Sequence, residues 1–479
     1  MTLLEWRRVC RERGTTVVGL GVSNLPLIEF LLRQGIPVTA RDQKTRAELD
    51  RTAQELEQRG VRLILGEHYL DEIDEGVIFR APGMRPDHPA FCRAIERGAI
   101  LSSEIELFLE LTPANVLGIT GSDGKTTTTT LTGLMLEAAC KRRAEGRVFV
   151  GGNIGTPPIG HVDEMRTSDY CVLELSSFQL QTLRRSLPRA AVTNVTPNHL
   201  NWHTDMAEYV AAKANIYAHS ENRLLVVNAE NAITCAAGKA HAGAVTWFSS
   251  RRASVQDFAD LMRVGDRAVF LADGGIVLYD GKETRPILQA SQILLPGKHN
   301  LENYMTAIAL TEGLVDAEDV RQVATSFRGV PHRLEWIRTV DGVKYYNSSI
   351  DSSPTRTAAA LSALPGKPIV ICGGYDKKIP FEPLAEALVA HARAVVLTGA
   401  TADKIRAALD AREDVNLPIY RESGFADAVH RARAIAQEGD TVLLSPACAS
   451  FDAFQNFEER GNTFRRIVEG FSGKPETEK

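Results

Sequence analysis

Val116-Leu-Gly-Ile-Thr-Gly-Ser-Asp-Gly-Lys-Thr-Thr127 runs from an apolar segment through a glycine-bounded turn into a helical pattern predicted over 128–137. It reads as strand, phosphate loop, helix. Gly121 and Gly124, with Ser122 and Asp123 between them, let backbone N–H groups converge on phosphate oxygens, and the helix N-terminus adds positive potential. Lys125 can reach the outer phosphates of a nucleoside triphosphate, and the hydroxyl of Thr126, followed by Thr127, suits a Mg²⁺ ligand. The strict pattern G-x-x-x-x-G-K-[ST] is not met, because Ile119 stands where its first glycine belongs. A glycine-rich turn without a ligand is the alternative. It leaves unexplained why charge, hydroxyl and glycines meet at the one turn where each is useful.

A chain of 479 residues exceeds what one hydrophobic core usually serves, so three domains are expected. The net charge of −5 argues against a nucleic-acid partner, whose phosphates call for a basic surface, but leaves small anionic ligands open. The seven cysteines lack C-x-x-C spacing, so neither a zinc site nor a disulfide framework follows. Residues 1–14 hold no apolar signal core and no run is long enough to span a bilayer, so a cytoplasmic protein is expected.

Upstream, Thr15-Thr-Val-Val-Gly-Leu-Gly-Val-Ser-Asn24 is an apolar strand ending in glycines, followed by a helical pattern over 27–34 and a strand over 37–40 closed by Arg41 and Asp42. This is a βαβ unit with a Gly19-Leu20-Gly21 turn and an acidic residue some twenty positions on, as in dinucleotide folds, though the third glycine is missing. A packing turn with no ligand reads equally well. Strands over 61–65 and 77–79, Ala81-Pro-Gly83 and a helix over 104–111 continue the α/β alternation to a linker at Thr112-Pro113.

Downstream, Gly151-Gly-Asn-Ile-Gly155 frees the backbone around Asn153 to approach a ligand. The strand over 170–175 is interrupted by one carboxylate, Glu174, which invites either a Mg²⁺ or a structural ion pair. A strand over 190–194 leads into Val195-Thr-Pro-Asn-His199, placing His199 at a strand end where α/β sheets bind ligands, although a lone histidine is more often structural than a ligand. Lys213 lies among alanines on the next helix. Its residues alone favour an exposed outer face. Asn300 and Asn303 open another helix, where their amides either read an adenine edge or cap the helix.

The last section opens at Val330-Pro-His-Arg-Leu-Glu335. It alternates strands over 344–346, 368–372, 394–397 and 441–444 with a helix over 354–363 and a final helix carrying Phe454 and Phe457. The polar tail 473–479 is expected to be disordered.

In order along nearly the whole chain, these segments resemble the Mur ligases, and among them the members that add D-glutamate. The resemblance is carried by Thr120-Gly-Ser-Asp-Gly-Lys-Thr126, Gly151-Gly-Asn-Ile-Gly155, Glu174-Leu-Ser-Ser-Phe-Gln179, Asn194-Val-Thr-Pro-Asn-His199, Tyr209-Val-Ala-Ala-Lys213, His299-Asn-Leu-Glu-Asn303 with His332-Arg333, and Ser445-Pro-Ala-Cys-Ala-Ser-Phe-Asp452 with Asn456-Phe-Glu-Glu-Arg-Gly461. It implies an α/β protein of three domains: a Rossmann-like UDP-binding domain over 1–111, a central P-loop ATPase-type domain over 112–329 and a Rossmann-like amino-acid-binding domain over 330–479. The activity implied is ATP-dependent joining of D-glutamate to UDP-N-acetylmuramoyl-L-alanine through an acyl phosphate, in peptidoglycan synthesis. Small molecules would be the only partners and the enzyme a monomer.

Residue by residue, the resemblance makes Lys213 a carbamate, which with Thr126, Glu174 and His199 would hold two Mg²⁺. Lys125, His199, Lys213 and His332 become the catalytic set. Gly121, Ser122, Asp123, Gly124, Thr126, Thr127, Asn300, Asn303 and Arg333 join Lys125 around ATP. Gly19, Leu20, Gly21, Asp42, Lys44, Gly83 and Asn153 would bind the UDP substrate, and Ser352, Lys377, Ser450 and Phe457 would grip D-glutamate. Two departures stand out: relatives carry Asn-Asp-Ser-Lys where this chain has Asn347-Ser-Ser-Ile350, which replaces an aspartate and a lysine by Ser348 and Ile350, and Ala81 stands where a serine is usual. Asp351 is a candidate replacement for the missing carboxylate. A folate-polyglutamate type ligase would lack the N-terminal glycine turn, and a regulator without catalysis would have no reason to keep Lys125, Glu174, His199 and Lys213 together.

Overall fold

The computed structural model describes residues 1–200, 202–295, 297–377 and 379–473. The tail 474–479, for which disorder is expected, and Pro296 of the segment before Asn300 lie outside them. The chain divides into two compact units, Met1–Ser326 and Phe327–Lys479.

The first unit contains two sheets. Strands β1 (Thr15–Val18), β2 (Thr39–Asp42), β3 (Arg62–Leu65), β4 (Val77–Arg80) and β5 (Ile100–Ser102) form an all-parallel sheet in the order β3-β2-β1-β4-β5. Its central strands β1 and β4 are buried along their whole length, which is why they show no alternation of apolar and exposed polar positions. The second sheet comprises β6 (Asn115–Thr120), β7 (Val148–Gly152), β8 (Tyr170–Glu174), β9 (Arg189–Val192), β10 (Leu224–Asn228), β11 (Ala244–Ser249), β12 (Arg267–Ala272), β13 (Gly275–Tyr279) and β14 (Thr284–Gln289), in the order β14-β13-β12-β11-β10-β9-β6-β8-β7. All neighbours are parallel except the two pairs made by β13. The chain leaves β6 toward β7 and β8 on one side and returns to β9 on the other, so β6 is the switch point of the sheet. Open α/β sheets bind their ligands outside the carboxyl ends of strands at such a point.

Unit two holds β15 (Glu335–Val340), β16 (Val343–Asn347), β17 (Ile369–Cys372), β18 (Ala394–Leu397), β19 (Ile419–Arg421) and β20 (Thr441–Leu444), in the order β15-β16-β20-β17-β18-β19. Only the β15–β16 hairpin is antiparallel. Separate apolar clusters cover the two faces of this sheet.

Several element boundaries depart from the sequence reading: the strand expected over 37–40 runs from Thr39 to Asp42 and the helix expected over 27–34 starts at Asn24, and three further differences have a visible cause. The helix expected over 128–137 runs from Lys125 to Arg143, since Gly124 at a φ of 80° turns the chain directly into it. The strand expected to reach Asn194 ends at Val192, and Phe454 lies outside the last helix. That helix begins only at Phe457, where the Asn456 side chain accepts from the Glu459 N–H and caps it. No helix among the described residues is long and apolar enough to cross a membrane.

A buried carboxyl lies in the join between the two sheets of unit one. Glu104, in the helix Glu104–Leu111, accepts from the Ile159 N–H at 3.2 Å, and burial pushes its pKa up to about 8. Folding therefore disfavours ionisation. The resulting stability is fully present below the ordinary carboxylate value, declines as pH rises toward 8, and levels off above it. Glu104→Gln should thus unfold with the parent at pH 5 and be the more stable protein at pH 9, by on the order of a few kcal/mol. Parallel thermal midpoints for the two proteins from pH 5 to pH 9 would refute the assignment.

Candidate active site

At the carboxyl end of β6 the chain turns through Gly121 and Gly124, and neither position can carry a side chain. A Cβ on Gly121, whose φ is 149°, would lie 1.9 Å from Thr193 Oγ1, and one on Gly124 would lie 2.5 Å from Asn303 Oδ1. Neighbouring loops fasten the turn. The Ser122 N–H donates to the Asn194 carbonyl at 2.9 Å, the Asp123 N–H donates to Asn194 Oδ1 at 3.0 Å, and Thr193 Oγ1 donates to the Asp123 carbonyl at 2.6 Å. Lys125 Nζ turns back to the Ser122 carbonyl at 3.0 Å. Asn303 Oδ1 accepts from Thr128 Oγ1 at 3.3 Å while its amide donates to Asn300 Oδ1 at 3.2 Å. The asparagine pair therefore stands beside the phosphate loop, where a nucleotide would lie.

β8 and β9 flank β6 and deliver two more groups to the same edge. Glu174 closes β8 and is 1% exposed. Its Oε1 accepts from Asn153 Nδ2 at 2.8 Å, whereas its Oε2 finds no donor among the described residues. The ion-pair alternative is not what the structure displays: the partner is a neutral amide and one buried carboxylate oxygen is left over, which suits a cation. Beyond β9, His199 adopts a φ of 55° and packs its ring edge-on to Phe178, with centroids 5.0 Å apart. Partial desolvation of the imidazole, then the charges of Lys125 and Lys213, hold its pKa below the ordinary histidine value. It stays neutral, the form that binds metals.

Lys213 overturns the exposed-face reading. In the helix Met206–Ala214 it is 3% exposed, and its Nζ donates to the Gly121 carbonyl at 2.8 Å and to Thr120 Oγ1 at 3.3 Å, over the Tyr209 ring at 4.7 Å. Burial first, and the positive charge of Lys125 second, bring its pKa down to about 7. The Tyr209 hydroxyl shares a hydrogen bond with Ser122 Oγ at 3.0 Å, so one helix supports both the lysine and the loop. Sequence reasoning passed over Tyr209 and Thr193. The spacing of Tyr209 to Lys213, one helical turn on one face, was the available signal for the first.

Among the described residues no three His, Cys, Asp or Glu side chains meet in a metal-holding group. The candidate set is of mixed type: the Thr126 hydroxyl, the free oxygen of Glu174, the His199 imidazole and the Lys213 nitrogen. Oxygen-rich ligation of this kind fits Mg²⁺, provided the lysine becomes an oxygen ligand.

The N-terminal sheet carries its own loop edge. Gly19 has a φ of 91° and a Cβ there would meet Ala81 at 2.7 Å. The Asp42 carboxylate accepts from the Leu20 N–H at 2.6 Å and the Lys44 N–H at 2.9 Å, so it shapes the glycine turn from within. Gly21 and Gly83 face open space.

In unit two, Lys377 Nζ donates to the carbonyl and hydroxyl of Ser352 at 3.2 and 3.3 Å. Tyr375 pairs with Ala449, which keeps this segment beside Ser450. Phe457 stands edge-on to His332 with centroids 6.0 Å apart. His332 is buried, with Nδ1 3.1 Å from Asn347 Nδ2, and a Cβ on Gly461 would meet that ring at 2.1 Å. Burial holds its pKa below the ordinary value. Arg333 beside it is exposed. Ser348 accepts from the Leu334 N–H at 3.1 Å, and Asp351 is buried with Ser445 Oγ donating to it at 2.8 Å. Asp351 is thus turned into the unit's interior, which argues against its replacing the missing carboxylate.

The family models that match are "Mur ligase MurD-like, N-terminal domain" over residues 13–102, "Mur ligase middle domain" over 119–311 and "Mur ligase, glutamate ligase domain" over 332–448. The chain is 48% identical over 473 residues to a UDP-N-acetylmuramoylalanine--D-glutamate ligase of Clostridium novyi, covering 98% of this chain and 99% of that protein. To the protein of that name from Clostridium perfringens it is 44% identical over 470 residues, covering 97% and 98%. Among solved structures, a UDP-N-acetylmuramoyl-L-alanyl-D-glutamate--2,6-diaminopimelate ligase aligns with a TM-score of 0.53 at 15% identity, over 88% of this chain and 92% of that one. A pseudomurein peptide ligase type C from Methanothermus fervidus aligns with a TM-score of 0.50 at 18% identity, over 95% and 99%.

Proposed function

We propose a function from one premise: the chain belongs to the Mur ligase family, matched by its models over three successive stretches and by relatives over nearly its whole length. Our reading is that it is an ATP-dependent ligase that adds D-glutamate to UDP-N-acetylmuramoyl-L-alanine in peptidoglycan synthesis, in the cytoplasm. We assign the UDP substrate to residues 1–111, ATP to 112–329 and D-glutamate to 330–479. The observation that carries this reading is that Lys125, Glu174 and His199 come to the β6 switch point from three neighbouring strand ends, with Lys213 buried against Gly121 of the phosphate loop.

The chemistry follows from what a carboxylate lacks. As an anion it resists attack, so the terminal carboxylate of the acceptor displaces ADP from the γ-phosphoryl of ATP and becomes an acyl phosphate. The D-glutamate amine then attacks the acyl carbon, phosphate leaves, and the amine gives up a proton as the amide forms. Lys125 would neutralise charge on the transferring phosphoryl, leaving the Ser122 carbonyl for a phosphate oxygen. Asn300 and Asn303 would meet the nucleotide base, and Arg333 the phosphates. Thr126, Glu174, His199 and a carbamylated Lys213 would hold two Mg²⁺, which when bound would screen the phosphates. His199, kept neutral, is suited to ligation rather than to proton donation. Phosphate release with UDP-N-acetylmuramoyl-L-alanine, ATP and a panel of amino acids tests the whole reading, and D-glutamate should stand alone as the efficient donor.

Lys377 and Ser450 would take the two carboxylates of D-glutamate, and the contact of Lys377 with Ser352 supports a prepared grip. A site built for both carboxylates rejects analogues that leave its polar groups unpaired. Lys377→Ala should raise the KM for D-glutamate about a hundredfold with that for ATP nearly unchanged, as expected for loss of a charged hydrogen bond. L-glutamate and D-alanine should be poor substrates of the parent enzyme. Turnover of D-alanine at the D-glutamate rate, or a KM change confined to ATP, would overturn the pocket.

A further inference from the structure

Arg80, the last residue of β4, is completely buried and no acidic side chain pairs with it among the described salt bridges. Its guanidinium spends its donors on carbonyls and one hydroxyl. Nη1 donates to the carbonyls of Ala81 at 3.4 Å, Pro82 at 3.1 Å and Met84 at 2.8 Å, while Nη2 donates to the Phe178 carbonyl and Thr182 Oγ1, each at 3.0 Å. Nε finds no acceptor among the described residues. Burial brings its pKa down to about 10, so it remains a cation at neutral pH. The charge of Glu106 opposes that shift without a direct ion pair, and a buried cation spending its donors on neutral acceptors, one donor left over, is a costly way to fill space that an apolar residue of similar length would fill more cheaply. The arrangement makes sense where the five acceptors must be held in a fixed relation.

Those acceptors belong to two segments with one meeting point. Ala81–Met84 follows the N-terminal sheet and presents Gly83 to open space, while Phe178 and Thr182 follow Glu174. A second tie runs from the loop of His199: Trp202 Nε1 donates to the Gly83 carbonyl at 3.1 Å. Arg85 lies over the Trp202 ring at 5.1 Å and bonds its carbonyl at 2.5 Å and Glu208 at 2.9 Å. Every carbonyl from Ala81 to Met84 is thus taken by a side chain from below.

We propose that Arg80, seconded by Trp202 and Arg85, is a positioning residue that registers the acceptor-binding loop of the N-terminal sheet against the segment that follows Glu174 and the loop bearing His199. The acceptor's carboxylate must arrive within reach of the γ-phosphoryl although its nucleotide end is held on another sheet. A displacement of about 1 Å in such a geometry costs up to a hundredfold in rate. The inference rests on the ligase reading above, and its failure is separable from a failure of that reading.

Kinetics of the parent with UDP-N-acetylmuramoyl-L-alanine, ATP and D-glutamate come first, and an inactive parent removes the ligase reading itself. With an active parent, Arg80→Met should raise the acceptor KM by on the order of tenfold and lower kcat, with KM for ATP and D-glutamate changed less than about twofold. Arg80→Lys, whose single ammonium can hold one loop but not both, should recover part of the loss. Global destabilisation would reduce the active fraction without singling out one KM. Should both Arg80 variants fail to fold, Trp202→Phe, which deletes the donor to Gly83 and keeps an aromatic ring beneath Arg85, should still raise the acceptor KM severalfold. Unaltered acceptor kinetics in a folded Arg80→Met or in Trp202→Phe, or equal effects on all three KM values, would overturn the brace.

Discussion

Lys125→Ala should abolish turnover, with phosphate release falling by about three orders of magnitude or more, while the protein unfolds at the parent's temperature. The separation is expected because other residues fasten the phosphate loop. Asn194 receives the N–H groups of Ser122 and Asp123, Thr193 donates to the Asp123 carbonyl, and Tyr209 holds the Ser122 hydroxyl. Removing Nζ deletes its bond to the Ser122 carbonyl at 3.0 Å and leaves that scaffold standing. What would be lost, on the proposed reading, is a cation for the outer phosphates as negative charge shifts during transfer. Lys125→Arg should recover little, since a planar fork does not replace a compact ammonium in so close a turn. A folded Lys125→Ala protein releasing phosphate at near the parent rate would sink the phosphate-loop assignment.

What could be read from the sequence divides according to whether a residue's role is local. Gly121 and Gly124 follow from backbone geometry within a few residues, and their surroundings leave no room for a Cβ. Strands such as β17, β18 and β20 were legible because burial on both faces leaves continuous apolar runs. The end of β9 and the exclusion of Phe454 from the last helix were less legible, because the Thr193–Asn194 contacts and the Asn456 cap compete with strand and helix propensity. The fate of Lys213 was not legible at all from its neighbours. Five residues of alanine-rich helix are equally compatible with a solvent face and with a floor under another loop. Only the parallel packing of β6 against β9, which brings the following helix beneath Gly121, decides between them. Asp351 repeats the lesson in unit two: beside the altered Asn347-Ser-Ser-Ile350 it looks like a replacement carboxylate, yet its bond to Ser445 is internal.

Lys213→Ala should cost about a hundredfold or more in activity, comparable with the loss of a metal-positioning group, and short carboxylic acids should restore part of it. The amine is placed for modification. At 3% exposure, with its pKa brought down to about 7, a large share is uncharged slightly above neutrality. A neutral amine attacks the carbon of CO₂, forms an N–C bond and releases one proton, giving a carbamate. The side chain would thereby be converted from a donor toward the Gly121 carbonyl into an anion with two oxygens, a second carboxylate-type ligand beside Glu174 for Mg²⁺. In Lys213→Ala the space vacated beneath the loop ends near the same point, so formate or acetate can supply a carboxylate there without a covalent link. Restoration should saturate with acid concentration and be absent for amines of similar size, and the parent should lose activity in CO₂-depleted buffer and regain it with bicarbonate. Full parent activity with a lysine of unmodified mass under CO₂-equilibrated conditions would show that the amine itself, held over Tyr209, is the working form.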